Sequence, residues 1–165
     1  MPQVESGIPR RLRRAGRARR RGFSYVEITI VVLILGIVSA IAAPRYRDMR
    51  QRYAADAAAR RVSMDLAMAR SHARMKGDSQ TVSFGPQGRN YTLPGVPDRR
   101  RGMQDYRADL QGLYGAQIEV ADFGGDRLVV FNRFGIPDSG GVVTVRAGAA
   151  AKSVTLLKSG LVTEP

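Results

Sequence analysis

Glu27 stands as a single carboxylate inside the apolar run Phe23–Ala43, and few kinds of chemistry suit it there. An ionised carboxylate a turn inside a lipid-facing helix costs a few kcal/mol or more unless it is paired or near the interface, so such a residue is functional by default. Other candidate residues read as structural. His72, the only histidine, sits at the end of a basic helical pattern with no carboxylate at metal spacing, and reads as a helix-surface residue. Asp122, Asp126 and Asp138 lie in loop stretches, match no calcium-loop pattern and read as turn formers. Asp122-Phe123-Gly124 spells a kinase tripeptide, but neither a Gly-rich loop nor a catalytic-loop motif accompanies it. There is no phosphate-binding Walker loop and no G-x-G-x-x-G. With no cysteine, a disulfide framework, a thiolate zinc site and a thiol nucleophile are all excluded. The expectation is a protein that is not an enzyme, with no catalytic residue, metal site or cofactor.

The element that positions Glu27 is the run itself. Its 21 residues, as a helix rising about 1.5 Å each, span roughly 30 Å, the thickness of a bilayer's hydrocarbon core. Before it, Arg10, Arg11, Arg13, Arg14, Arg17, Arg19, Arg20 and Arg21 alternate with small residues and carry no apolar period. That segment reads as a disordered cationic leader, and the positive-inside rule keeps its end in the cytoplasm. The formal charge of +13 suggests nucleic acid until it is divided: residues 1–22 hold eight arginines and one glutamate, leaving +6 for the rest. Two other export readings fit some of these residues. A secretory signal has an A-x-A site, here Ala40-Ile41-Ala42, but Pro44 lies just beyond that cut and the apolar run is long for such a signal. Arg20-Arg21-Gly22-Phe23 also resembles the start of a twin-arginine signal, in a leader where arginine pairs abound.

Gly22, Phe23 and Glu27, preceded by a basic leader and followed by Gly36 and Pro44, resemble the processing and assembly motif of the type IV pilin and type II secretion pseudopilin superfamily. The resemblance implies that a prepilin peptidase cleaves after Gly22, that Phe23 becomes an N-methylated amino terminus, and that Gly36 and Pro44 soften the helix. The new ammonium group on Phe23 of one subunit then meets the Glu27 carboxylate of a neighbour, which offsets much of the burial cost of both charges.

Between Arg45 and Lys76 there is no Pro or Gly and alanine is abundant, so the helix is expected to continue past a kink at Pro44 and stop at Gly77-Asp78. A wheel of 100° per residue shows two apolar stripes: Tyr46, Tyr53, Ala57, Met64 and Met68 on one side, and Ala55, Ala58, Val62, Leu66, Ala69 and Ala73 nearly opposite. One stripe docks the helix on its own domain, and the other is free for neighbouring subunit helices or tolerates exposure. Arg45, Arg47 and Arg50, where the helix leaves the membrane, are placed to meet lipid phosphates. A solvated helix face accounts for the other arginines, Arg52, Arg61, Arg70 and Arg74 among them.

After Gly77 the period becomes alternating. Gln80–Phe84, the turn Gly85-Pro86-Gln87-Gly88 and Asn90–Leu93 form a hairpin pattern, Leu93–Gly102 reads as a loop, and the spacing of Met103, Tyr106, Leu110 and Leu113 fits a short helix. Strands are expected at Ala116–Asp122, Leu128–Asn132, Val142–Arg146 and Ser153–Leu157, with a further one within Gly160–Thr163. The fold class is α+β: a long N-terminal helix, part membrane and part amphipathic, packed on a small antiparallel β-sheet domain, pilin-like. The segments are a leader at 1–22, the transmembrane half of the helix at 23–43, its amphipathic half at 44–77 and the β domain at 78–165.

The run Leu128–Val145 and the later Val154–Gly160 pattern resemble the GspH/FimT family of minor pseudopilins and pilins. Major pilins commonly close their last segment with a disulfide, which this chain cannot form. The resemblance implies a minor pseudopilin of a type II secretion system or related type IV filament. Its partners are the prepilin peptidase, other pilins or pseudopilins through the N-terminal helix, and membrane lipid. It is set in the bacterial inner membrane with its amino end cytoplasmic and its domain extracytoplasmic. The alternative, from another class, is a DNA-binding minor pilin for DNA uptake, motivated by the residual basic charge and by Arg99, Arg100 and Arg101.

Overall fold

The computed structural model describes residues 22–98 and 102–163. Helix α1, Tyr25–Lys76, is continuous for 52 residues and passes through Pro44 without ending. Arg74 and Lys76 in its last turn complement the helix dipole. Gly77, at φ 67°, stops it, with the Gly77 and Asp78 N–H groups both donating to the Ala73 carbonyl. The chain divides into two compact units between Ala40 and Ile41. In the first, every described residue is exposed. As a whole, α1 is long and apolar enough to cross a membrane.

In the second unit the chain forms β1 (Gln80–Phe84), β2 (Asn90–Asp98), β3 (Gln104–Asp109), a short helix α2 (Leu110–Tyr114), β4 (Gln117–Asp122), β5 (Leu128–Phe131), β6 (Gly141–Ala147), β7 (Ala150–Leu156) and β8 (Val162–Thr163). These make two four-stranded antiparallel sheets, in the orders β3-β2-β1-β5 and β4-β6-β7-β8. Of the two stripes on α1, the alanine-rich one is buried: Ala55, Ala58, Val62, Leu66, Ala69 and Ala73 are all within 1% of full burial. Short side chains let a sheet approach the helix closely. The other stripe stays outside, with Tyr53 69% and Met64 62% exposed. Val82, Tyr91, Leu93, Val129 and Phe131 of the first sheet and Val143, Val145, Val154 and Leu156 of the second join the helix in a single core.

The turn between β1 and β2 ties the sheets together. The Gly88 carbonyl accepts from the Ile118 N–H at 2.6 Å, and a Cβ at Gly88 would stand 2.2 Å from the Ile118 carbonyl oxygen. With φ at +66° as well, this position admits only glycine.

Two expectations fail between residues 93 and 114. Leu93–Asp98 is not loop but the second half of β2, which pairs with β3 through a register shift between Leu93 and Pro97. Prolines 94 and 97 and Gly95, at φ 76°, form an irregularity that the strand absorbs, since pairing resumes at Pro97 with Asp105 and the Gly95 N–H finds the Asp105 carboxylate at 2.8 Å. The helical spacing from Met103 to Leu113 is coincidental over its first part: Tyr106 and Ala108 turn inward as alternate residues of β3, and Met103 and Leu113 are exposed. The chain turns helical only after Asp109, whose carboxylate caps α2 by accepting from Gly112 N–H at 2.9 Å.

Candidate functional site

The amino-terminal motif lies on the exposed start of α1. Gly22 precedes the helix, Phe23 is 77% exposed and Glu27 falls in the first turn. Phe23, Glu27, Ile28, Val31 and Val32 enclose an open, almost wholly apolar groove of about 270 Å³. Among the described residues no cation pairs with Glu27. A Cβ added at Gly36 meets nothing within 4 Å, so no packing inside the chain demands a glycine there. Arg99, Arg100 and Arg101 lie outside the described residues.

Sequence reasoning missed a second polar constellation, in the core of the domain. Asp65 is 4% exposed on the buried face of α1. Its Oδ2 accepts from the Tyr91 hydroxyl at 2.6 Å, the Tyr106 hydroxyl at 2.7 Å and the Arg61 Nε at 3.1 Å. Arg61 also donates to the Tyr106 hydroxyl and lies over that ring, 5.7 Å from its centroid. A buried carboxylate with three donors is satisfied where a bare one is not. Burial, followed by the Asp65 charge and hydrogen bond, pushes the Tyr91 phenol well above its ordinary value. Burial and the bond to Asp65 push Tyr106 up to about 12, against the opposing pull of Arg61. The cluster joins α1 to β2 and β3. Arg61 is thus a structural ion-pair partner and not part of a solvated face.

The sequence did contain the signal. Val62, Asp65, Leu66 and Ala69 share one face at helical spacing, so Asp65 is an acid on the buried stripe with an arginine four residues earlier.

The remaining candidates do structural work. His72 is half-buried, its Nδ1 2.7 Å from Oε1 of the buried Gln80. Asp122 accepts from the Gly125 N–H at 2.8 Å, and Asp138 from the Val130 and Ser139 N–H groups at 3.1 and 2.8 Å, as turn formers do. Asp126 bridges Phe123 in the same turn. Arg74 reaches the Phe134 carbonyl at 2.9 Å, and Arg146 pairs with Glu119 through two bonds of 2.9 Å.

Residues 58–160 match the family model of the type II transport protein GspH. The fold is similar to that of the minor pseudopilin EpsH from the type II secretion system of Vibrio cholerae. That likeness has a TM-score of 0.52 at 14% identity, over 68% of this chain and 94% of that one. It is also similar to the type IV minor pilin FimU of Pseudomonas aeruginosa strain PAO1, with a TM-score of 0.50 at 12% identity, over 69% of this chain and 90% of that one. At such identities the likeness is one of fold. No curated protein matches the chain. The matched family segment opens at Ala58, so it covers α1 from there on and strands β1 to β7, and leaves the Gly22–Glu27 motif to stand on its own residues.

Proposed function

This chain belongs to the family of the type II transport protein GspH, and from that membership we propose that it is a minor pseudopilin or minor pilin, a structural and non-enzymatic filament subunit. The observation that carries the reading is the uncovered surface of α1. Residues 23–43 are exposed throughout, and beyond them Tyr46, Tyr53, Met64 and Met68 stay outside although a core is available on the opposite face. A membrane accounts for the first set, and packing against the helices of other subunits accounts for the second. A prepilin peptidase cleaves after Gly22, and methylated Phe23 becomes the mature end. The Phe23 ammonium of one subunit then pairs with Glu27 of the next. The chain sits in the inner membrane with its domain on the extracytoplasmic side.

Met64→Glu tests the helix-face part of this reading. The substitution falls on an exposed position, so stability is expected to change by no more than about 0.5 kcal/mol. Incorporation into filaments, measured by shearing and quantifying the subunit, is expected to fall at least about tenfold, the effect of burying one unpaired charge at a contact. Unchanged incorporation would contradict the assignment. The DNA-uptake alternative is not favoured by the family match or by the solved folds. Arg60, Arg61, Arg74 and Arg146 are all engaged within the chain, and the triplet that motivated it lies outside the described residues.

A further inference from the structure

Arg47, Arg50, Gln51 and Ala54 recur on one face of α1, and with Tyr114, Gly115, Ala147 and Gly148 they line an open groove of about 340 Å³. We propose that this groove binds the phosphate of an anionic phospholipid headgroup at the point where the chain leaves the bilayer. The proposal rests on the membrane anchorage of the preceding section and names a specific site for it.

The groove is preformed. Gly148, in the tight turn between β6 and β7, has φ +58° and lies so close to α1 that a Cβ would meet the Gln51 amide at 2.3–2.6 Å. The Gln51 Oε1 in turn accepts from the Ala149 N–H at 3.0 Å, which clamps the turn onto the helix. Tyr114, half-buried and also lining the groove, belongs to α2, which is fixed by the Asp109 cap and by Gly115 in the left-handed conformation. The turn and α2 are therefore both held in place beside the helix face that carries Arg47 and Arg50.

The charge is also available. Arg47 and Arg50 are exposed and, among the described residues, neither is ion-paired; no carboxylate lines their groove, and Glu119, which lines a separate one, is paired with Arg146. Ala54, Ala147 and Tyr114 line the same groove as the two arginines, so its lining is part cationic and part apolar. A phosphate diester joined to a glycerol and acyl chains suits both kinds of lining, whereas a free phosphate uses only the arginines. Tyrosine also favours the headgroup level, where one end of its ring is apolar and the other wet.

Distance along the chain supplies the last constraint. Arg47 is four residues beyond Ala43, about 6 Å further along α1 at about 1.5 Å per residue. The headgroup layer on each side of a bilayer is about 5–7 Å thick, so this turn of the helix lies at the level of lipid phosphate.

The test uses the full chain in nanodiscs of phosphatidylcholine with a minority of phosphatidylglycerol, extracted into mild detergent, with bound lipid counted by native mass spectrometry. Phosphatidylglycerol retention by the unsubstituted chain is expected to exceed that of the Arg47→Ala/Arg50→Ala chain by roughly tenfold to thirtyfold, as two surface arginines acting on an anionic lipid would give. Arg47→Lys/Arg50→Lys is expected to restore most of it. Equal retention by the unsubstituted and doubly alanine-substituted chains, with unchanged circular dichroism, overturns the site while leaving the anchorage intact. A chain that never enters the nanodiscs overturns both. Displacement of the lipid by inorganic phosphate or by a short DNA duplex at comparable concentration assigns the groove to those ligands and likewise overturns the proposal.

Discussion

Asp65→Ala is expected to destabilise the domain by about 3 kcal/mol, the cost of leaving a buried hydroxyl unpaired and breaking a buried ion pair. Melting should fall by roughly 10 °C or more for a unit of this size. The Tyr91 hydroxyl is buried and loses the carboxylate that accepts from it, whereas Arg61 and Tyr106 are only half-buried and can turn to water. Asp65→Asn keeps an acceptor oxygen and should cost less than alanine. A melting temperature for Asp65→Ala within about 2 °C of the parent would contradict the structural role given to the cluster, since so small a shift matches only a few tenths of a kcal/mol.

The same cluster sets an alkaline limit. Tyr91 and Tyr106 are held neutral in the folded state beyond the point at which unfolded tyrosine ionises, near pH 10. Between those values the unfolded chain binds fewer protons than the folded one, so stability falls as pH rises. The contribution is fully present below pH 10 and lost as pH climbs from 10 through the Tyr106 value of about 12. Melting curves across that window should drop more steeply for the parent than for Tyr106→Phe, and equal slopes would count against the phenol.

Glu27→Ala should be processed at Gly22 as the parent is, because the scissile bond lies five residues earlier, yet fail to enter filaments. On the proposed pairing, a subunit without its carboxylate offers no partner for the incoming ammonium. A lost buried charge pair of a few kcal/mol corresponds to a roughly hundredfold drop in incorporation. Glu27→Gln, which keeps the shape and loses the charge, should behave like alanine. Normal incorporation of either variant, seen by immunoblotting sheared filaments, would remove Glu27 from the assembly mechanism.

The architecture was largely legible because its signals are local. Alanine content, the free run from Arg45 to Lys76 and the Gly77 stop define α1, and β1 begins and ends where alternation begins and ends. The failures also have local causes. Pro94 and Pro97 look like loop residues, but an irregular strand accommodates proline wherever a ladder hydrogen bond is already missing, and only the partner strand reveals that. Met103, Tyr106, Leu110 and Leu113 satisfy a helical wheel because a strand and a short helix happen to meet at Asp109. The Asp65 cluster was hidden for a different reason. Tyr91 and Tyr106 come from strands 26 and 41 residues away, so the sequence shows an acid on a buried stripe and not what satisfies it. Which helical stripe faces the sheets depends on the same long-range packing, and alanine's fit beneath a sheet decided it over the larger Tyr53 and Met64.

The Gly22–Glu27 motif is of another kind, since the partners proposed for it, a peptidase and a second subunit, lie outside the chain. The direct test is the intact mass of the amino-terminal peptide of the protein recovered from its native membrane. The account predicts a chain that begins at Phe23 and carries one methyl group on its amine. A chain that still holds its leader, or one that begins at Ala43 or Pro44 as a signal-peptide cut would leave it, would contradict it.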